Sequence, residues 1–269
     1  MNMRPADVTS TTMHRIQSFV VALLAVLVSA PLTSVANDDA ILAGFVAREY
    51  QSATGVKLPY RLFTPSSAKR DEELPLILYL HGSGGAGTDN RKQLSGGNAL
   101  GTHVWIESDA QQQHPAFVLA PQIPETSTWH SSSDEPSPHV AALLELLDEL
   151  RSEPRIDARR IYVVGQSRGG FGVWDLIARY PNTFAAAVPL CGGGDTKKIL
   201  SARDVAVWAF HGAKDGTVLV ARSREMVDAL RTVNSSVRYT EYPDVGHDVW
   251  IRAFAERDLP EWLFAQRGR

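Results

Sequence analysis

Five consecutive residues, Gly165-Gln166-Ser167-Arg168-Gly169, constrain this chain more than any other feature. They form a G-x-S-x-G directly after the apolar run Arg160-Ile161-Tyr162-Val163-Val164. A helical pattern follows at once, with Phe171, Trp174, Ile177 and Ala178 expected on its inner side. A strand that becomes a helix within so few residues needs flanking glycines, because the two segments pass closely. The residue at the apex is held in a strained conformation, and its hydroxyl stands exposed at the helix N-terminus. Ser167 therefore reads as a nucleophile, which needs a base and an acid that orients the base. A Gly-rich turn carrying an incidental serine is the plain structural alternative. The strand-turn-helix context speaks against it.

The surroundings of that turn repeat one theme. Gly44 to Tyr50 and Leu58 to Phe63 read as a hairpin around Ser52-Ala53-Thr54-Gly55. Short apolar runs follow at 74–80, 116–120, 160–164, 184–190, 205–210 and 237–242. Helical patterns lie between them. One starts at Ser137-Pro138, a cap followed by proline at the first helical position, with Val140, Leu143, Leu144, Leu147 and Leu150 on one face. Others follow Ser167 and span roughly 218–230 and 251–264. Strands that are apolar throughout and separated by helices indicate an α/β fold. The sheet is expected to be mostly parallel, covered by helices on both faces, with an antiparallel hairpin at its N-terminal end. Ligands of such sheets sit at the carboxyl ends of the strands.

Two later strand ends carry reactive side chains. The run Val205 to Phe210 leads into His211-Gly212-Ala213-Lys214-Asp215, and Val237 to Tyr242 leads into Pro243-Asp244-Val245-Gly246-His247. Acid then histidine, both after the serine, is the order an α/β-hydrolase triad requires. Taken alone, Asp215 could be a helix-capping turn residue and His247 an ordinary loop histidine. Asp244 and Asp248 are too close to His247 in sequence to orient its ring. The strand 74–80 leads into His81-Gly82-Ser83-Gly84-Gly85, where a loop can supply one backbone donor to an oxyanion. The expected donors are the N–H groups of Ser83 and Arg168. Gly82 to Gly87 also spells G-x-G-x-x-G, but Thr88 to Gly97 is polar and broken by glycine, with no amphipathic helix to receive a dinucleotide. No phosphate-loop motif and no H-E-x-x-H occurs, and His211 with Asp215 straddles the start of a loop, so neither metal nor cofactor is expected.

Composition sets the remaining limits. With 44% hydrophobic and 21% charged residues and a net charge of -3, the chain is ordinary for a globular protein and offers no basic stripe for nucleic acid. Residues 1–36 are different. Arg4, His14 and Arg15 precede the apolar run Phe19 to Val28, and Ser34-Val35-Ala36 places small residues where a signal peptidase reads. This apolar run is too short for a spanning helix, which needs about 20 residues. The expectation is a signal peptide over 1–36, cleaved near Ala36, a catalytic domain over 37–269, and export without stable membrane insertion. Cys191 is the single cysteine, so an internal disulfide is impossible, and its place after an apolar run suits a small buried side chain.

The stretches LPYRLFTP, LILYLHGSGGAGTDN, RIDARRIYVVGQSRGGFGVWDLIARYP, WAFHGAKDGTV and GHDVW together resemble one group of proteins. It comprises small exported α/β-hydrolases, esterases and predicted peptidases related to the catalytic domain of prolyl oligopeptidases. The resemblance covers nearly all of 37–269. It implies an α/β-hydrolase fold with Ser167, Asp215 and His247 as triad. It implies no particular substrate, because one fold hosts many chemistries. The favoured expectation is a carboxylesterase acting on small-molecule esters with short acyl or aryl groups. A serine peptidase and an inactive binding module on the same scaffold are the alternatives. Trp129, in the loop 123–137, either borders the substrate or simply packs beneath that loop, and the Arg168 side chain is expected to reach the pocket. The sequence leaves oligomeric state open.

Overall fold

The computed structural model describes residues 41–66, 69 and 72–269, so the expected signal segment 1–36 lies outside them. The chain enters through β1 (Ile41–Leu42), which reverses at Ala43-Gly44, both at positive φ, into β2 (Phe45–Gln51). β2 pairs antiparallel with β3 (Lys57–Phe63), and β3 pairs antiparallel with β5 (Phe117–Pro121). The other strands are β4 (Leu74–Leu80), β6 (Ile156–Gln166), β7 (Ala186–Leu190), β8 (Ala206–Gly212) and β9 (Arg238–Tyr242). All of them run parallel to their neighbours, in a nine-stranded sheet ordered β1-β2-β3-β5-β4-β6-β7-β8-β9. Hairpin and parallel body both match the sequence expectation.

Alternation along the central strands divides the core into two layers. Leu76, Leu78, Ile161, Val163, Val207 and Ala209 face one side, where α3 (Pro138–Arg151), α4 (Arg168–Arg179) and α5 (Ala221–Arg231) pack. Ile77, Tyr79, Tyr162, Val164, Trp208 and Phe210 face the other. That side is closed by residues in and around α1 (Ala99–His103), α6 (Trp250–Ala253) and α7 (Asp258–Phe264). A short α2 (Ser108–Gln113) completes the β4–β5 connection. α3 begins as its cap residues imply: Ser137 Oγ accepts from the Val140 N–H at 3.4 Å, with Pro138 at the first helical position.

Two elements differ from the sequence reading. β6 begins at Ile156, ahead of the apolar run at 160–164. Polar residues at its start concealed it: Asp157 and Arg160 pair at 2.7 Å along the strand. The expected helix over 251–264 is two pieces, α6 and α7. Pro260 explains the break, because in a continuous helix it would remove a hydrogen bond and clash with the carbonyl of Glu256. Within the first turn of α7 the missing N–H costs nothing.

Candidate active site

Ser167 is the single residue between β6 and α4, at φ 53 and ψ -116. Positive φ in a non-glycine residue costs on the order of 1–3 kcal/mol, so the surroundings must impose it. Its N–H donates to Leu190 O at 2.9 Å, and its own carbonyl accepts from Phe171 N at 3.1 Å. Glycines let the neighbouring strands press against the turn. A Cβ on Gly169 would stand 1.9 Å from Leu80 O, and one on Gly165 2.6 Å from Gly169 O.

The ends of β8 and β9 bring the acid and the base to the same edge. Lys214 N donates to Val245 O at 2.9 Å, which ties the two loops together. His247 Nδ1 lies 2.8 Å from Asp215 Oδ2, and its Nε2 lies 2.9 Å from Ser167 Oγ. A carboxylate accepts only, so the Nδ1 proton faces Asp215 and the Nε2 lone pair faces the hydroxyl. Asp215 Oδ1 accepts from Thr217 N at 2.8 Å and Val218 N at 2.9 Å. Burial pushes the Asp215 pKa up, but the bonds from His247 and these two amides outweigh it and hold the carboxyl below its ordinary value. A further partner escaped the sequence reading. His211, fully buried, places Nε2 3.2 Å from Asp215 Oδ2 and 2.9 Å from Val218 O.

The turn after β4 forms the opposite wall. His81 is buried, with Nδ1 2.8 Å from Gly82 O and Nε2 accepting from Ile123 N at 3.2 Å. The carbonyl requires the proton on Nδ1 and the amide requires a lone pair on Nε2, so both ring nitrogens are satisfied in the neutral form. Burial lowers the His81 pKa to about 4. The Ser83 and Arg168 N–H groups find no acceptor among the described residues. Arg168 opens α4, where the first amides of a helix have no partner within it.

The structure decides between the two readings of Trp129 and departs from the expectation for Arg168. Trp129 is 0% exposed: its Nε1 donates to His81 O at 3.0 Å, and its Cβ would lie 2.3 Å from a Cβ on Gly172. It supports the loops from beneath and is not among the residues that line the cavity over Ser167. The Arg168 guanidinium turns away to the carbonyls of Glu125, at 2.9 Å, and Ser127. It clamps the 123–137 loop against the elbow.

The cavity over Ser167 holds about 360 Å³ and is lined by Ser83, Asn98, Ser167, Thr217, His247 and Trp250 among others. Asn98 and Trp250 were not singled out from the sequence. Asn98 lies in a run of small residues without a local motif, whereas Trp250 belongs to the GHDVW stretch. The Trp250 ring stands edge-on to His247, centroids 5.5 Å apart. A larger cavity of about 420 Å³, between His130, Phe171 and Arg222, shares no lining residue with this one and holds no part of the Ser–His–Asp chain.

The model of the phospholipase/carboxylesterase family matches residues 66–257. The chain belongs to that family. A solved thermostable esterase is 37% identical, with a TM-score of 0.79 over 84% of this chain and 64% of its own. A poly(3-hydroxyalkanoate) depolymerase C of Paucimonas lemoignei is 30% identical over 122 residues, 44% of this chain and 28% of its own. The chain thus spans less than two thirds of either relative. A probable carboxylesterase of Oryza sativa subsp. japonica is 24% identical over 64% of this chain and 80% of its own length. Carboxylesterase chemistry needs a nucleophile, a base and an anion site, and each has a structural candidate here. Among the described residues, one grouping has metal-ligand atoms: Cys191 with Asp215 and His247, all within 4.8 Å. These donors are already committed. Cys191 Sγ lies 3.6 Å from His247 O, and burial pushes its thiol far up. Asp215 and His247 hold each other.

Proposed function

We propose that this protein is an exported serine carboxylesterase cleaving small esters with short acyl or aryl groups. The continuous chain from Asp215 through His247 to Ser167, at 2.8 and 2.9 Å, is the observation that carries the reading. Ser167 Oγ attacks the ester carbonyl as its proton passes to His247 Nε2. The carbonyl oxygen becomes an oxyanion between the N–H groups of Ser83 and Arg168, each such donor being worth roughly 10²–10³ in kcat. His247 returns the proton to the departing alkoxide, which leaves as alcohol. Water, deprotonated by His247, then attacks the acyl-enzyme and releases the acid and free Ser167. Asp215 stays ionised throughout and keeps the His247 ring in the productive tautomer. The cavity of about 360 Å³ favours short acyl groups over long chains. Export rests on the basic, apolar and small segments of residues 1–36, and N-terminal sequencing of exported protein starting near Asn37 would bear it out.

Fluorophosphonate labelling tests the nucleophile. Wild type is expected to be labelled and Ser167→Ala is not, with an unchanged melting temperature. On an aryl acetate the same variant should lose on the order of 10⁴–10⁶ in kcat, the range seen when a triad nucleophile is removed. Labelling of the variant at the wild-type rate would assign the nucleophile elsewhere. Pro- and Ala-amides in the same panel should turn over far more slowly than the best ester; comparable rates would make it a peptidase.

A further inference from the structure

We propose that Asn98 is a third, side-chain donor to the oxyanion. The proposal rests on the reading of Ser167 as nucleophile and extends it to a residue outside the triad and outside the two backbone donors.

Asn98 is 4% exposed and lines the cavity that contains Ser167. Its Oδ1 accepts from Gly82 N at 2.8 Å. A peptide N–H can only donate, so the carboxamide cannot be reversed: oxygen faces Gly82, and nitrogen takes the other branch of the fork. Nδ2 then lies on the Ser83–Gly84 side, 3.7 Å from where a Cβ on Gly84 would stand. That is the loop whose Ser83 lines the cavity. Nδ2 has no hydrogen-bond acceptor among the described residues, while the rest of the side chain is almost wholly buried. The nitrogen itself is not among the enclosed polar atoms that lack a partner, so this free donor is open to the cavity, where it can meet an acceptor from outside.

The side chain is also held rigid. Asn98 N donates to Ser95 O at 3.1 Å. The adjoining Gly97 carbonyl accepts from Gln166 Nε2 at 3.0 Å, and Gln166 Oε1 in turn accepts from Tyr79 OH at 2.6 Å. Gln166 precedes the nucleophile in sequence. The donor is thereby fixed to the same backbone turn that fixes Ser167, and preorganised donors are the ones that stabilise developing charge. In the resting protein the carboxamide orients the Gly82–Ser83 turn. In the tetrahedral intermediate its Nδ2–H supplies a third hydrogen bond to the negative oxygen.

The test compares wild type, Asn98→Asp and Asn98→Ala on an aryl ester and on its thionoester, in which sulfur replaces the carbonyl oxygen. Fluorophosphonate titration gives kcat per active site, and thermal melts report folding. Asn98→Asp keeps shape and the acceptor for Gly82 N–H but removes the donor. Both variants should lose roughly 10²–10³ in kcat on the ester, with KM within about threefold of wild type. The loss on the thionoester should be at least about tenfold smaller, since sulfur is a weak acceptor and gains little from the donor. Equal losses on ester and thionoester, or wild-type kcat in Asn98→Asp, would overturn the proposal and leave Asn98 a loop support. Labelling of Ser167→Ala reports separately on the nucleophile, so failure of that reading is recognisable by itself.

Discussion

At the scale of single residues, His81 shows how a buried polar group can support a site and make it acid-sensitive. Its Nε2 must remain a lone pair to accept from Ile123 N, so a second proton would set two donors against each other in a buried place. In the unfolded chain the ring has its ordinary pKa near 6.5; in the fold, burial lowers it to about 4. As pH falls between these values, the unfolded state binds a proton that the folded state refuses, so stability drops. The contribution is fully present above about pH 6.5 and lost by about pH 4, at up to roughly 1.4 kcal/mol per pH unit. His103, His130, His139 and His211 are also lowered by burial and act in the same direction. The prediction is therefore a difference: the fall in urea-unfolding free energy from pH 7 to 5 should be about 2 kcal/mol smaller in His81→Gln than in wild type. An equal fall in both would mean that the His81 ring does not titrate in this window. The sequence made Ser167, Asp215 and His247 recognisable because each follows a strand end in a fixed order. Asn98 follows no such rule. It is held at the cavity by a hydrogen bond from Gly82 N, a contact that no local pattern encodes. Trp129 was open in the sequence between substrate contact and packing, because an aromatic residue in a loop suits either until the loop is seen to fold over it.

At the scale of elements, the elbow depends on close contact between β4, β6, β7 and α4. Backbone atoms, not side chains, set that distance: Leu80 O faces Gly169, and Leu190 O would stand 2.3 Å from a Cβ on Gly170. Carbonyls held in strands cannot move aside as a flexible side chain would. Gly169→Ala should therefore displace the N-terminus of α4, and with it Ser167 and the Arg168 N–H. The expected outcome is a loss of about 3 kcal/mol or more of stability, typical of strain at a position without space. kcat should fall more than about a hundredfold, because displacements near 1 Å are costly in catalysis. Chemical denaturation and steady-state kinetics on an aryl acetate would measure both; a variant within 1 kcal/mol of wild type with normal kcat would show that the helix can shift at little cost. The G-x-S-x-G pattern made this element legible because steric necessity writes it into sequence. The strand β6 was legible only over 160–164, since its first half satisfies itself through the Asp157–Arg160 pair without an apolar pattern. The break between α6 and α7 was written in Pro260, whose effect outweighed the helical periodicity around it.

At the scale of the whole molecule, the parallel order β4-β6-β7-β8-β9 delivers every reactive group to one edge of the sheet. The two-sided core beneath it fixes those strand ends, and only the loops decide what can reach Ser167. The β4–β5 connection brings Asn98 and Gly97 over the cavity, while the segment after His247 brings Trp250 from the other end of the chain. They meet closely: a Cβ on Gly97 would lie 3.5 Å from Trp250 Cζ2. Trp250 is the bulkiest wall of the cavity. It is only partly buried, belongs to the short α6 and packs on the edge of the core, so truncation removes a wall while every fully buried core residue stays in place. Trp250→Ala should shift the preferred acyl length upward. kcat/KM should rise for octanoyl and decanoyl aryl esters, by roughly tenfold, the scale expected when a methylene or two gains room in an apolar pocket. Acetyl esters should lose a few-fold, since the edge-on contact with His247 that helps to hold its ring is removed. Kinetics over acetyl to decanoyl aryl esters, wild type against variant, would measure the shift. A uniform loss at every length would mean that Trp250 serves only His247, and the limit on acyl length would then have to lie in the Ser83–Gly84 turn on the opposite wall.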